Sequence, residues 1–158
     1  MKTIFSPDRK YRYTLWRTWF SKPTWYGTFP YVMFVGLNPS TADETKDDPT
    51  VRRCIQFAKD WGYSALCMTN LFAWRDTSPK EMMKQENPIG EENDLYLLET
   101  SFKARQVVAA WGKNGSHMNR GNEVKKMITA LYCLRMNKDG SPEHPLYLPK
   151  TLQPIPYL

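Results

Sequence analysis

Histidine, cysteine and long apolar runs are scarce in this chain. Only two histidines, His117 and His144, occur in 158 residues, and neither stands at metal-ligand spacing from the other or from a cysteine. The three cysteines, Cys54, Cys67 and Cys133, are odd in number and widely spaced. They fit neither a disulfide framework nor a zinc knuckle. No metal and no cofactor is expected, and the cysteines read as small core residues of a reduced protein. No run approaches the ~20 apolar residues that cross a bilayer. The N-terminal MKTIFSPDRKYRY lacks an apolar stretch of signal-peptide length. The expectations are therefore no membrane partner and a cytoplasmic location. No internal repeat and no linker divides the chain, so residues 1–158 read as one domain.

What is present is a basic, aromatic composition. Net charge is +6, aromatics make up 14%, and six of them are Trp. Hydrophobic residues at 41% suit a globular protein that buries a core. A basic chain rich in aromatics suits a nucleic acid or nucleotide partner, although aromatics also fill cores.

Periodicity orders the chain. Residues 9–20 alternate imperfectly and read as a strand with Tyr11, Tyr13 and Leu15 on one face and Arg12, Thr14 and Trp16 on a basic, aromatic outer face. Residues 21–30, with Pro23, Gly27 and Pro30, read as a turn into a second strand at 31–37, so that the two strands make a hairpin. Asp48-Pro49-Thr50 opens a helix over about 49–61, with Asp48 as N-cap and Gly62 as stop. Its Val51, Cys54, Ile55, Ala58 and Trp61 fall at helical spacing and should face the core. Residues 63–71 read as a buried strand ending at Asn70. Residues 75–92 read as a loop with a helical turn at 79–84. A helix follows at 91–103, with Leu95, Leu98 and Phe102 inward. Residues 106–111 form a further buried strand ending in Gly112-Lys113-Asn114-Gly115. Residues 117–131 read as a helix and 132–136 as a strand. The tail 141–158 holds five prolines and should be extended.

This order of strands and helices predicts an α/β fold. Its expected form is a three-layer domain with a central, mainly parallel four-stranded sheet, helices on both faces and an N-terminal hairpin strand. In such a fold the carboxyl ends of the strands share one edge. Asn38, Asn70, Lys113 and His144 would converge there.

The stretch at the centre of this expectation is YVMFVGLNPSTAD, residues 31–43. Five apolar residues end abruptly at Gly36, where backbone can approach a ligand closely. Pro39 fixes its own φ and turns Asn38 away from helical angles. Ser40, Thr41 and Asp43 add side-chain oxygens.

These residues carry a resemblance. The Asn-Pro-Ser-Thr-Ala-Asp loop, the Asp-Pro-Thr helix start, Thr-Asn-Leu-Phe at 69–72 and His-Pro-Leu-Tyr at 144–147 resemble a small bacterial and phage domain family of unknown function, over roughly residues 10–154. More distantly, GLNPS at 36–40, TNL at 69–71, VVAAWGKNG at 107–115 and HPLYL at 144–148 are similar, in the same order, to segments of the uracil-DNA glycosylase superfamily. That likeness implies that Asn38 positions a water near an anomeric carbon and that Asn70 reads a base edge. Phe72 or Tyr31 would stack on the base, and His144 would donate to it or stabilise it as it leaves. Lys113, Asn114 and the Gly112 backbone would hold phosphate. Ser40, Thr41 and Arg53 are further candidates for phosphate contact. Ser40 replaces a glycine of the mismatch-specific motif, the segment after His-Pro lacks the Ser-Pro of an intercalating wedge, and residues 43–49 form an acidic insertion.

Hydrolysis of an N-glycosidic bond needs a positioned water, negative potential near the sugar and a donor for the departing base. Asn38 is a poor base, so Asp43 or Asp48 would supply the carboxylate. The functional expectation is a nucleobase-recognising protein: an N-glycosidase acting on a base in DNA or in a nucleotide, or alternatively a non-catalytic nucleotide or modified-base binding module. An interaction domain whose loops are only structural is the blander possibility.

Overall fold

The computed structural model describes residues 2–20 and 29–158. Among these residues seven strands form one mixed sheet: β1 (Ile4–Phe5), β2 (Arg12–Thr18), β3 (Tyr31–Gly36), β4 (Ala65–Asn70), β5 (Gln106–Ala109), β6 (Leu131–Cys133) and β7 (Ile155–Pro156). Their spatial order is β1-β2-β4-β3-β5-β6-β7. Pairings among β4, β3, β5 and β6 are parallel, while β1, β2 and β7 add antiparallel edges. The helices are α1 (Pro49–Asp60), α2 (Pro79–Met83), α3 (Asn93–Lys103) and α4 (Arg120–Met127). The last is preceded by a kinked 3-10 segment, Lys113–Asn119.

The α/β class holds, but the sheet has seven strands rather than four, and it is mixed. β6 overlaps the strand expected at 132–136 but is shorter, and the two-residue strands β1 and β7 are too short to show an alternation. The expected hairpin is also corrected. β2 pairs with β4, so β4 lies between β2 and β3. The turn expected around Pro23 and Gly27 lies outside the described residues.

Two cores lie on opposite faces of the sheet. Val32, Phe34, Leu66, Met68 and Val108 pack against α1 through Val51, Cys54, Phe57 and Ala58. Met33, Val35, Cys67, Val107 and Ala109 pack against Met82, Leu97 and Val124 from the other three helices. Each fully buried Val, Leu or Phe side chain contributes roughly 1.5–3 kcal/mol. All three cysteines are buried and free. α1 starts as its sequence dictates: the Asp48 carboxylate accepts from the Val51 N–H at 2.8 Å, and Pro49 stands in the first turn. Beyond it, Gly62 takes the left-handed conformation, φ +87°.

α3 turns its other side inward. Leu95, Leu98 and Phe102 are exposed, Phe102 by 91%, and Asn93, Leu97 and Thr100 are buried. The reason is polar. Asn93 Nδ2 donates to the Asn70 and Leu71 carbonyls, both at 3.0 Å, and the Tyr31 hydroxyl donates to the Thr100 carbonyl at 2.6 Å. Those bonds fix which face of the helix meets the sheet. Among the described residues no helix is long and apolar enough to cross a membrane.

Candidate functional site

The parallel strands send their carboxyl ends to one edge. From β3 the chain returns through α1 to β4 on one side. It then crosses through α2 and α3 to β5 on the other side. That reversal of direction opens a crevice between the loops after β3 and β5, the usual ligand position in such sheets. A pocket of about 480 Å³ occupies it.

The loop after β3 contributes Asn38 and Ser40, the end of β4 contributes Asn70, and the loop after β5 contributes Lys113 and Asn114. His144 and Leu146 close it from the tail, and Asp48 and Thr50 from the start of α1. The expected convergence of Asn38, Asn70, Lys113 and His144 is therefore the arrangement this fold builds. Among the described residues no cluster of His, Cys, Asp and Glu could hold a metal ion.

Asn38 is fixed by its amide nitrogen, which donates to the Asp76 carbonyl at 2.9 Å and the Pro39 carbonyl at 3.2 Å. This assigns the amide orientation and leaves Oδ1 as an acceptor. Asn70 is 3% exposed, and its Nδ2 has no partner among the described residues. A buried amide left unpaired costs about 1–3 kcal/mol, so Asn70 is a group built for a ligand or burdened without one. Its position depends on Gly36, its register partner on β3, where a Cβ would lie 2.8 Å from Asn70 Oδ1.

His144 sits at the rim. Its Nδ1 accepts from the Leu146 N–H at 3.2 Å, which places the proton of the neutral ring on Nε2. The side chain is exposed, but protein packed around the ring desolvates it and lowers its pKa below the ordinary histidine value, and the nearby Asp48 carboxylate opposes that shift. At neutral pH the ring is a neutral donor through Nε2–H.

Several expected site residues lie elsewhere. Tyr31 is at the opposite end of β3, with its hydroxyl bonded to Thr100. Phe72 is fully buried in the core, its ring against His117. Stacking by either on a base in this pocket is excluded. The Asp43 carboxylate accepts from the Thr45 and Lys46 N–H groups, which hold its pKa down, and it does not line the pocket. Asp48 is the acidic residue of residues 43–48 that does. Thr41 lines a separate groove with Arg9, Lys10 and Arg75. Arg53 lies over the Phe57 ring, away from the pocket. The Gly112 N–H is already donated to the Pro142 carbonyl at 2.8 Å and offers nothing to a phosphate.

The basic, aromatic stretch is also occupied by protein contacts. Arg17 bonds Asp47 and the Asp43 and Lys46 carbonyls, Trp19 donates to the Tyr63 carbonyl, and Trp16 packs edge-on to Tyr31. Arg12, expected on the outer face, is 2% exposed and lines the pocket. The signal that misled is local. The pairing of β1 with β2 runs from Thr14 to Arg12 and skips Tyr13. That bulge breaks the alternation and re-aims the side chain. Burial lowers the Arg12 pKa to about 10, which leaves it charged at neutral pH.

A larger groove of about 750 Å³ runs between α3 and the end of α4, lined by Leu95, Leu98 and Phe102. It lacks the convergent strand-end polar groups of the crevice.

The chain matches the family described as "Protein of unknown function (DUF1643)" over residues 12–146. No curated protein and no solved structure matches it.

Proposed function

From membership of that family, whose description assigns no activity, we propose that this protein recognises a nucleobase in the crevice and hydrolyses its N-glycosidic bond, in DNA or in a nucleotide. The observation that carries the proposal is Asn70. It lines a pocket of about 480 Å³, a volume in the range of small-molecule sites, and holds a buried, unpaired amide nitrogen there. An amide at that depth suits the hydrogen-bonding edge of a base. The distant likeness of four strand-end segments to the uracil-DNA glycosylase superfamily points the same way.

The remaining groups fall into roles around it. Asn38 Oδ1, the acceptor its backbone bonds leave over, would hold the attacking water. Asp48 uses Oδ1 to cap α1 and keeps Oδ2 to face the developing sugar cation and take the water's proton. His144 Nε2–H would donate to the departing base as the carbon–nitrogen pair moves onto its ring nitrogen. Lys113 supplies positive charge at the mouth. The water oxygen bonds to the anomeric carbon as the base leaves.

A second reading has one observation in its favour. No carboxylate is hydrogen-bonded to Asn38 or His144 among the described residues, so the same pocket suits a module that binds a nucleotide or modified base without cleaving it. Incubation with DNA containing uracil, hypoxanthine or a hydroxymethylated base, and with free nucleotides, separates the two. Released base, reduced about 10²–10⁴-fold by Asn38→Ala, supports hydrolysis. Saturable binding with no release supports the module, and the absence of both release and binding overturns the nucleobase reading.

A further inference from the structure

Two arginines are almost wholly buried in this fold, and they are paired differently. Arg120, 1% exposed, meets the carboxylates of Asp94 and Glu123 and donates through Nε to the Leu71 carbonyl at 2.9 Å. Arg12, 2% exposed, makes no ion pair among the described residues, and the negative charge that acts on it most is that of Asp48, which lines the same pocket without bonding it. Arg12 Nη1 donates to the Ala42 carbonyl at 3.0 Å, and Arg12 Nε has no partner. A buried charge with no directly bonded counter-ion is costly even where a carboxylate stands nearby. Arg120 is what this fold does with a structural arginine, and Arg12 departs from it at one place, the wall of the strand-end pocket.

Asn70 stands in the same pocket, with its Nδ2 also unpaired. The two orphaned atoms, Arg12 Nε and Asn70 Nδ2, are both donors. A ligand that satisfies these two atoms presents acceptors to them, and one that also answers the charge presents an anionic oxygen.

We propose that Arg12 and Asn70 together form an oxyanion receptor in the lining of the pocket. The oxygen belongs either to a phosphate of the ligand or to the base itself, which gains negative charge as its bond to the sugar breaks. The second source rests on the nucleobase reading above; the receptor does not. Arg12 would then determine specificity for acceptor-bearing, anionic ligands over those presenting amino groups at that end.

The test measures binding of inorganic phosphate, uracil, deoxyuridine and deoxyuridine monophosphate to the wild type, Arg12→Met and Arg12→Lys by calorimetry and thermal shift. Circular dichroism checks that each variant folds. The expected result is that at least one probe binds the wild type with Kd at or below about 1 mM. Arg12→Met should weaken it about tenfold or more. Arg12→Lys should fall between, because it keeps the charge and loses the planar fork. Should Arg12→Met fail to fold, the same loss in Arg12→Lys decides. Phosphate and the monophosphate binding without deoxyuridine identifies a phosphate oxygen, while uracil and deoxyuridine binding as well as the monophosphate identifies the base. Phosphate bound through Arg12 with no base-bearing probe bound keeps the receptor and removes the nucleobase reading. Base-bearing probes bound equally by all three proteins keep that reading and overturn the receptor. No probe binding the wild type overturns the receptor as well.

Discussion

Gly36→Ala probes the crevice where its geometry is tightest. The new Cβ would stand 2.8 Å from Asn70 Oδ1, with the Thr69 carbonyl oxygen next at 3.8 Å. One atom of one side chain therefore supplies the clash. Overpacking of this kind costs about 1–3 kcal/mol. Against it, alanine reduces the freedom of the unfolded chain, which contributes about 0.4–1 kcal/mol of stability where the backbone conformation is allowed. Gly36 has no left-handed φ, so that gain applies. The net expectation is a loss of roughly 0.5–2 kcal/mol, or a melting temperature lower by about 1–8 °C for a chain of this size. In an Asn70→Ala background the clashing atom is gone, and the same Gly36→Ala change should be neutral or slightly stabilising. Urea unfolding of the four proteins gives the coupling directly. An equal loss in both backgrounds would refute the claim that Gly36 exists to admit Asn70.

Other expectations follow from single contacts. Asp48→Ala removes the α1 cap and should cost about 0.5–2 kcal/mol in denaturant unfolding; it should also lower the His144 pKa further, read by NMR titration, because Asp48 opposes the shift caused by burial. Since the folded pKa of His144 lies below its unfolded value, the unfolded chain binds the extra proton first. Stability from this group is present above pH ~6.5 and lost as pH falls through the folded pKa; His144→Gln should flatten that part of the curve. Tyr31→Phe should cost about 1 kcal/mol through the bond to Thr100 and leave ligand binding unchanged, whereas a loss of binding would return Tyr31 to the site. On α3, Phe102→Ser should change stability by less than about 0.5 kcal/mol, and Leu97→Ala should cost about 2–5.

The contrast on α3 shows what the sequence could and could not disclose. Leu95, Leu98 and Phe102 have a helical spacing that reads as an inward face, yet the helix is oriented by Asn93 and by the Thr100 carbonyl. Polar bonds to another element leave no hydrophobic period. α1 was legible because its cap, its first-turn proline and its apolar stripe all agree. The strand ends were legible because each apolar run stops at a polar residue. Asn38, Asn70, Lys113 and Asn114 are therefore found around one pocket although they are distant in sequence, and His144 joins them from the tail. Arg12 escaped because a one-residue bulge reverses its face, and nothing in an alternating stretch of arginines and tyrosines marks which arginine is buried. Phe72 and Tyr31 look like stacking residues from their neighbours in sequence, but one lies in the core and the other at the far end of its strand.

The central claim is that Asn70 keeps a buried amide for a base. Its side-chain N–H pair is observable by nitrogen-15 NMR and assignable by its disappearance in Asn70→Ala. Titration with uracil, hypoxanthine, their deoxynucleosides and their monophosphates should move that resonance saturably for at least one compound, and Asn38→Ala should leave the shift in place while any base release is lost. If no compound at about 10 mM moves the Asn70 amide, the pocket does not read a base and the account is contradicted.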